Sequence, residues 1–153
     1  MSKLKFVLIT LFFLISSNLI VAQSLNSSNI KLKLISEIPK EFDGCLISYS
    51  LSKPELNKQQ FILLDGWDGY KSQFCYIKIN GVLERLELVK EKRLPQSSNY
   101  TNWYRNEVYT LTLIVEYLKP AGYDSYYTKA TLVIEKNNNT NKTTFKLFGL
   151  CAC

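Results

Sequence analysis

The chain contains no histidine among its 153 residues. That absence removes Ser-His-Asp and Cys-His catalysis, and with them the commonest general base and metal ligand. An enzyme built on this sequence would have to work with carboxylates, Lys, Tyr or Cys alone. Proline (4) and glycine (6) are also scarce, and the only biased stretch is the short Asn-rich run 137–141, so no flexible linker divides the chain. No internal repeat is present. Runs of one charge are missing too. Lys and Arg outnumber Asp and Glu by 19 to 13, but the excess is scattered. Its densest patch, Lys90, Lys92 and Arg93, encloses Glu91 and reads as a solvated strand end. Nucleic acid calls for a basic face carrying aromatics, and none is expected as a partner. No apolar run reaches the ~20 residues of a membrane helix.

What is present begins at the N-terminus. Lys3 and Lys5 precede Phe6–Ile15, apolar apart from Thr10. Ser16-Ser17-Asn18 interrupts the run, and Leu19-Ile20-Val21-Ala22 leads into Gln23. This order is that of a secretory signal peptide with a small residue at the cut site. The expected organisation is a leader over 1–22 and one domain over 23–153, in a secreted or periplasmic protein. Membrane contact would come only through an uncleaved leader. No cysteine lies near the junction, which argues against a lipid anchor. Removing Lys3 and Lys5 lowers the net charge from +6 to +4.

Helical periodicity is weak, whereas period-2 alternation and tyrosine are abundant. Strands are expected over Ile30–Ile38, Gly44–Leu51, Gln59–Asp65, Gln73–Ile79, Val82–Lys90, Glu107–Leu118, Tyr126–Glu135 and Thr143–Leu150, with a few helical residues in Pro54–Lys58. Asn80-Gly81 suits the two positive-φ positions of a type I′ hairpin turn. Alternation places Tyr109, Leu111, Leu113, Val115 and Tyr117 on one inward face, joined by Ala130, Leu132, Ile134, Phe145 and Leu147. The fold class is all-β: an antiparallel sandwich or barrel of about 7–8 strands.

Four cysteines, Cys45, Cys75, Cys151 and Cys153, in an exported chain read as two disulfides. A Cys151–Cys153 bridge is disfavoured, because i and i+2 of a strand stand about 6.5–7 Å apart, near the bridging limit. Cys45 and Cys75 would then each pair with one of the C-terminal two. A four-sulfur zinc or copper(I) site is the alternative, in a compartment that oxidises thiols. No metal and no cofactor is expected.

Three clusters suggest recognition. In Asp65-Gly-Trp-Asp-Gly-Tyr70, two carboxylates flank an indole. Asn99-Tyr-Thr-Asn-Trp-Tyr-Arg105 falls in the longest connection, Pro95 to Asn106, and carries residue types enriched at hot spots. The candidate binding residues are Trp67, Asp68, Tyr70, Tyr100, Trp103 and Arg105. Strand counting gathers the loops Gly66–Lys71 and Pro95–Arg105 at one end and sends the third cluster, Gly122–Tyr127, to the other. Acid–base pairs could be drawn from Asp65, Asp68, Asp124 and Glu116, but no spacing aligns two of them. No catalytic residue is assigned.

The Val-Ala-Gln junction resembles those of exported proteins of Bacteroidota-type bacteria. Phe74-Cys-Tyr-Ile-Lys-Ile-Asn-Gly81, followed by Leu83 and Leu86, and the Cys-x-Cys terminus look like features of small exported proteins of unknown function from such bacteria. A looser architectural likeness is to periplasmic lysozyme inhibitors, small disulfide-tied β-barrels. The resemblance implies an exported, non-enzymatic binding protein, an envelope inhibitor or recognition module, with a protein or an envelope glycan as partner. A carbohydrate- or peptidoglycan-binding module using Trp67 and Trp103 is the alternative. Protein recovered from the exporting cell should begin near Gln23. An intact mass that still includes residues 1–22 would contradict the exported address.

Overall fold

The structure, a computed structural model, describes residues 30–42, 45–67 and 72–152. The leader, Asp68, Tyr70 and Cys153 lie outside the described residues. Eight antiparallel strands form a closed barrel in sequential order: β1 (Cys45–Ser50), β2 (Leu63–Trp67), β3 (Ser72–Ile79), β4 (Val82–Arg93), β5 (Tyr100–Arg105), β6 (Tyr109–Gly122), β7 (Ser125–Lys136) and β8 (Lys142–Ala152). β8 closes on β1 through Ile47↔Cys151 and Tyr49↔Gly149. This settles barrel against sandwich.

The inward face is as the alternation predicts. Leu111, Leu113, Val115, Ala130, Leu132, Ile134 and Leu147 are buried, and Tyr117 and Phe145 pack against them. Asn80 and Gly81 have φ of 52° and 90°, the left-handed pair that a type I′ turn needs. A short helix α1 (Lys53–Asn57) follows β1, with Pro54 in its first turn. Ser52 caps it: its hydroxyl accepts the Glu55 amide and donates to the Glu55 carboxylate at 2.9 Å.

Two expectations fail. Residues 30–38 alternate like a strand but make only one bridge, Leu32↔Ile79. They form a strap along β3, whose far end seats Phe42 against Phe74 and Tyr76, with ring centroids 5.3 and 5.7 Å away. Tyr100–Arg105 is a strand rather than a loop. It fills the place between β4 and β6, pairing Tyr104↔Leu88 and Trp103↔Thr112. This additional strand reverses the direction of β6 and of every strand after it. The 123–124 turn therefore shares an end with loop 94–99, opposite to the expectation.

The interior is close-packed where β1 passes β8. An ideal Cβ on Gly149 would stand 2.3 Å from Thr128 Oγ1 and 2.6 Å from the Tyr49 ring. Glycine is required there so that Tyr49 can cross the barrel. Gly149→Ala should cost about 1–3 kcal/mol through overpacking. Thermal unfolding measures the loss, and an unchanged midpoint would show that Tyr49 is free to shift.

Candidate functional site: the barrel mouth

Irregularities in β2, β4 and β6 shape one end of the barrel. Register shifts fall at Gly66/Trp67, Leu88/Lys90, Tyr117/Lys119 and Pro120/Gly122, toward the end shared by loop 94–99 and turn 123–124. Bulges bend strands and re-aim side chains. In β4 the bulge changes the inward parity from Leu86 to Glu91, which pairs with the buried Asn102, and Arg93, which pairs with Tyr100. The basic patch is thereby split. Arg93 turns to the mouth, while the Lys90 ammonium stands 5.1 Å from the Trp103 ring centroid. Loop 94–99 is held down by Asn99, whose side-chain oxygen accepts the Tyr117 amide at 3.1 Å.

These features enclose an open cavity of about 670 Å³. Trp67, Arg93, Tyr100, Tyr117, Tyr126 and Cys151 line it, with Ser72 toward the interior and Lys119 and Asp124 also on its wall. The phenol rings form a run: Tyr100 to Tyr117 is 6.3 Å between centroids, and Tyr117 to Tyr126 is 5.8 Å, edge-on. The Arg93 guanidinium lies 5.9 Å from the Tyr100 ring centroid. Its Nε also pairs with Glu91 Oε1.

Behind Ser72 lies a buried polar network. Asp65, fully buried, accepts from Tyr104 OH at 2.8 Å and from Ser72 Oγ at 3.2 Å. Asn102 Nδ2 donates to Ser72 Oγ and to Tyr104 OH, both at 2.8 Å. Burial pushes the Asp65 carboxyl up to about 7, against the opposing pull of the Tyr104 and Ser72 hydrogen bonds. Five further buried oxygens, Tyr49 OH, Tyr100 OH, Thr128 Oγ1, Asn102 Oδ1 and Glu91 Oε2, make no well-aligned hydrogen bond among the described residues, although the Tyr49 hydroxyl faces those of Tyr100 and Thr128. Buried polar atoms are normally satisfied, so this group requires an explanation.

The candidate binding residues separate. Trp67 and Tyr100 meet at the mouth. Trp103 instead lies on the outer face of β5, because its inward neighbours are Asn102 and Tyr104, both fully buried. Arg105 is exposed at the opposite end, beside the 135–140 turn. Asp68 and Tyr70 are outside the described residues. The three described carboxylates of the four do not form a pair: Asp65 is interior, Asp124 lines the mouth and Glu116 faces outward opposite Lys129. Sequence patterning did not name Ser72; it placed Arg93 in a solvated basic patch, Tyr117 on the core face, and Asn102 and Tyr104 in a surface-loop cluster, and assigned none of them to a site. The Tyr-Asn-Tyr alternation of 100–104 was the available signal.

The cysteine expectation is corrected in part. Cys75 and Cys151 do point inward, but both are buried free thiols. They are three inter-strand steps apart (β3, β2, β1, β8), or about 14 Å along the wall at ~4.8 Å per step. A bridge tolerates about 7 Å between Cα atoms. The same separation prevents the two from sharing a four-sulfur metal site, and no group of three His, Cys, Asp or Glu is placed to hold a metal among the described residues. Cys45 is not among the free thiols. Family models, curated proteins and solved structures give no match to this chain.

Asp65 makes stability depend on pH. The unfolded chain releases this proton near 3.8, and the folded chain keeps it until about 7. Between those values the folded state binds more protons, so stability falls as pH rises and then levels off above 7. The shift corresponds to about 4 kcal/mol. Asp65→Asn should be more stable than the parent at pH 8 and should lose the decline between pH 4 and 7. Denaturant titrations across pH measure this, and a parallel decline in both proteins would contradict the burial argument.

Proposed function

We propose that the chain is an exported, non-enzymatic binding protein whose ligand seats in the mouth of the barrel. One observation carries the reading. Trp67, Tyr100, Tyr117 and Tyr126 line an open cavity of about 670 Å³ at the mouth, beside Arg93, the concave and aromatic lining that a small-molecule site presents. The surrounding phenols and Trp67 supply flat apolar surface at small entropic cost. Small-molecule sites occur in the mouths of β-barrels, and the volume lies in the range such ligands occupy. The absence of histidine, and the seclusion of Asp65 from the cavity wall, support binding over catalysis.

The glycan-module alternative is weakened by placement. Trp67 and Trp103 lie on different faces and make no common platform, so a sugar would have to stack on Trp67 and the tyrosines. For the cysteines, Cys75 and Cys151 are buried free thiols and Cys45 is not among the free ones, which supports at most one bridge in place of two.

Protein purified from the exporting cell should carry a small molecule that native mass spectrometry detects and denaturation releases. Trp67→Ala with Tyr100→Phe should fold and lose it. Retention of the same molecule by that variant would overturn the mouth as the site. Non-reducing peptide mapping should find two free thiols, Cys75 and Cys151.

A further inference from the structure

The polar lining of the mouth carries both signs and both hydrogen-bond roles. Arg93 is paired with Glu91, and Lys119 lines the cavity together with Asp124 of the same hairpin. The charges of the wall therefore balance. Arg93 and Lys119 can only donate, whereas the Asp124 carboxylate accepts. Ser97 Oγ accepts the Asn99 amide at 3.0 Å and keeps its proton to donate, and the Ser98 hydroxyl can do either. Hydroxyl groups match such a lining, because each one donates and accepts. A ligand of one charge leaves part of it unmatched.

The aromatic wall is faceted. The Tyr100 and Tyr117 rings are inclined by 53°, and the Tyr117 and Tyr126 rings by 86°. A rigid planar ligand can lie against one of these faces and not against the next. Rings joined by rotatable bonds can turn from one face to another. Trp67 and Tyr117 are half-buried and Tyr126 is exposed, so each leaves ring surface to a ligand.

The mouth is also open at one side. β5 begins at Tyr100, opposite Val115, whereas β6 runs on to Gly122. Among the described residues, no backbone pairs with 116–122 on the β5 side, where the Asn99 side chain meets the Tyr117 amide. A gap is left between Ser97 and Ser98 of loop 94–99 and Leu118 and Pro120 of β6, all of which line the cavity. A ligand longer than the cavity can leave through it. A peptide strand is poorly served by this edge. Pro120 offers no amide, Lys119 is charged, and two register shifts break the row of hydrogen-bonding groups.

We propose that the mouth binds an uncharged oligosaccharide, with sugar rings against Trp67, Tyr117 and Tyr126 and the chain leaving through the gap between Ser98 and Pro120. This rests on the mouth being the binding site. The C–H face of a sugar ring lies flat on an aromatic face, and aromatic side chains lose little entropy in holding it. The hydroxyls point outward from the edge of the sugar ring, toward the serines, Lys119 and Asp124 of the wall. Trp67 acts here with the tyrosines of its own cavity and not with Trp103, which lies on the outer face of β5.

Calorimetric titration of the protein with cellohexaose and chitohexaose, each beside its disaccharide, tests the class and the gap. A hexasaccharide should bind at least ~10-fold more tightly than its disaccharide, and equally at low and high salt. Tyr126→Ala should weaken it about 10-fold through loss of one stacking face. Ser98→Trp, which narrows the gap, should weaken the hexasaccharide at least ~5-fold and leave the disaccharide unchanged. Both positions are exposed, and an unfolding midpoint near that of the parent shows that the variants fold. Equal affinity for the two lengths, or a Ser98→Trp variant that binds both as the parent does, overturns the exit through the gap. Binding of neither hexasaccharide, or binding that ignores Tyr126→Ala, overturns the saccharide class. Phenylnaphthylamine, a flat aromatic probe titrated in parallel, separates that failure from failure of the mouth. If it binds, and Trp67→Ala abolishes its binding while no hexasaccharide binds, the class falls and the mouth site stands. Tighter binding of an uncharged Ser-Ala repeat peptide than of either hexasaccharide also overturns the class.

Discussion

The closure of β8 onto β1 is the constraint on which the rest depends. An open eight-strand sheet would expose two rows of unpaired amides and carbonyls. Pairing Leu46–Ser50 with Phe148–Ala152 removes both edges and defines an inside. The inside then sorts itself by strand length. β6, β7 and β8 are long and supply leucine, isoleucine and valine to the core. β1 and β2 are short and bring Tyr49 and Asp65 inward. The chain compensates on the outside of this short side, where the 30–42 strap lies along β3 and α1 packs on β1 and β8.

A buried carboxyl is costly, and the packing around Asp65 limits that cost without removing it. Two hydroxyl donors favour the charged form, and desolvation outweighs them. The result is a group balanced between protonation states at neutral pH, one hydrogen bond from a side chain that lines the mouth. A sealed apolar core would have been more stable. The buried hydroxyls of Tyr49, Tyr100 and Thr128 extend this polar interior toward the mouth.

Much of the fold was legible because hydrophobic alternation and burial coincide along β6, β7 and β8. The Asn80-Gly81 turn was legible because few residue pairs tolerate both left-handed conformations. β5 was not. Its inward set is Tyr100, Asn102 and Tyr104, polar enough to read as a loop; Tyr100 lines the mouth and the other two lie buried behind it. Missing that one strand inverted the placement of the 123–124 turn and hid the mouth. Asp65 was read as the end of a strand and the start of a recognition cluster, without its inward direction, although it shares parity with Leu63 and sits opposite Ile47 and Cys75 inside the barrel. The cysteines show the complementary error: parity told which way Cys75 and Cys151 point, but not how many strands separate them. Site residues break the hydrophobic pattern for chemical reasons, so pattern reading fails first where function lies.

The most direct test of the central claim is fluorine NMR of protein labelled with fluorotyrosine, recorded before and after addition of extract from the cell that makes the protein. Tyr100, Tyr117 and Tyr126 should shift together, while Tyr109, at the far end of the barrel, should not. Unmoved mouth tyrosines, or shifts confined to residues outside the mouth, would contradict the assignment of the barrel mouth as the ligand site.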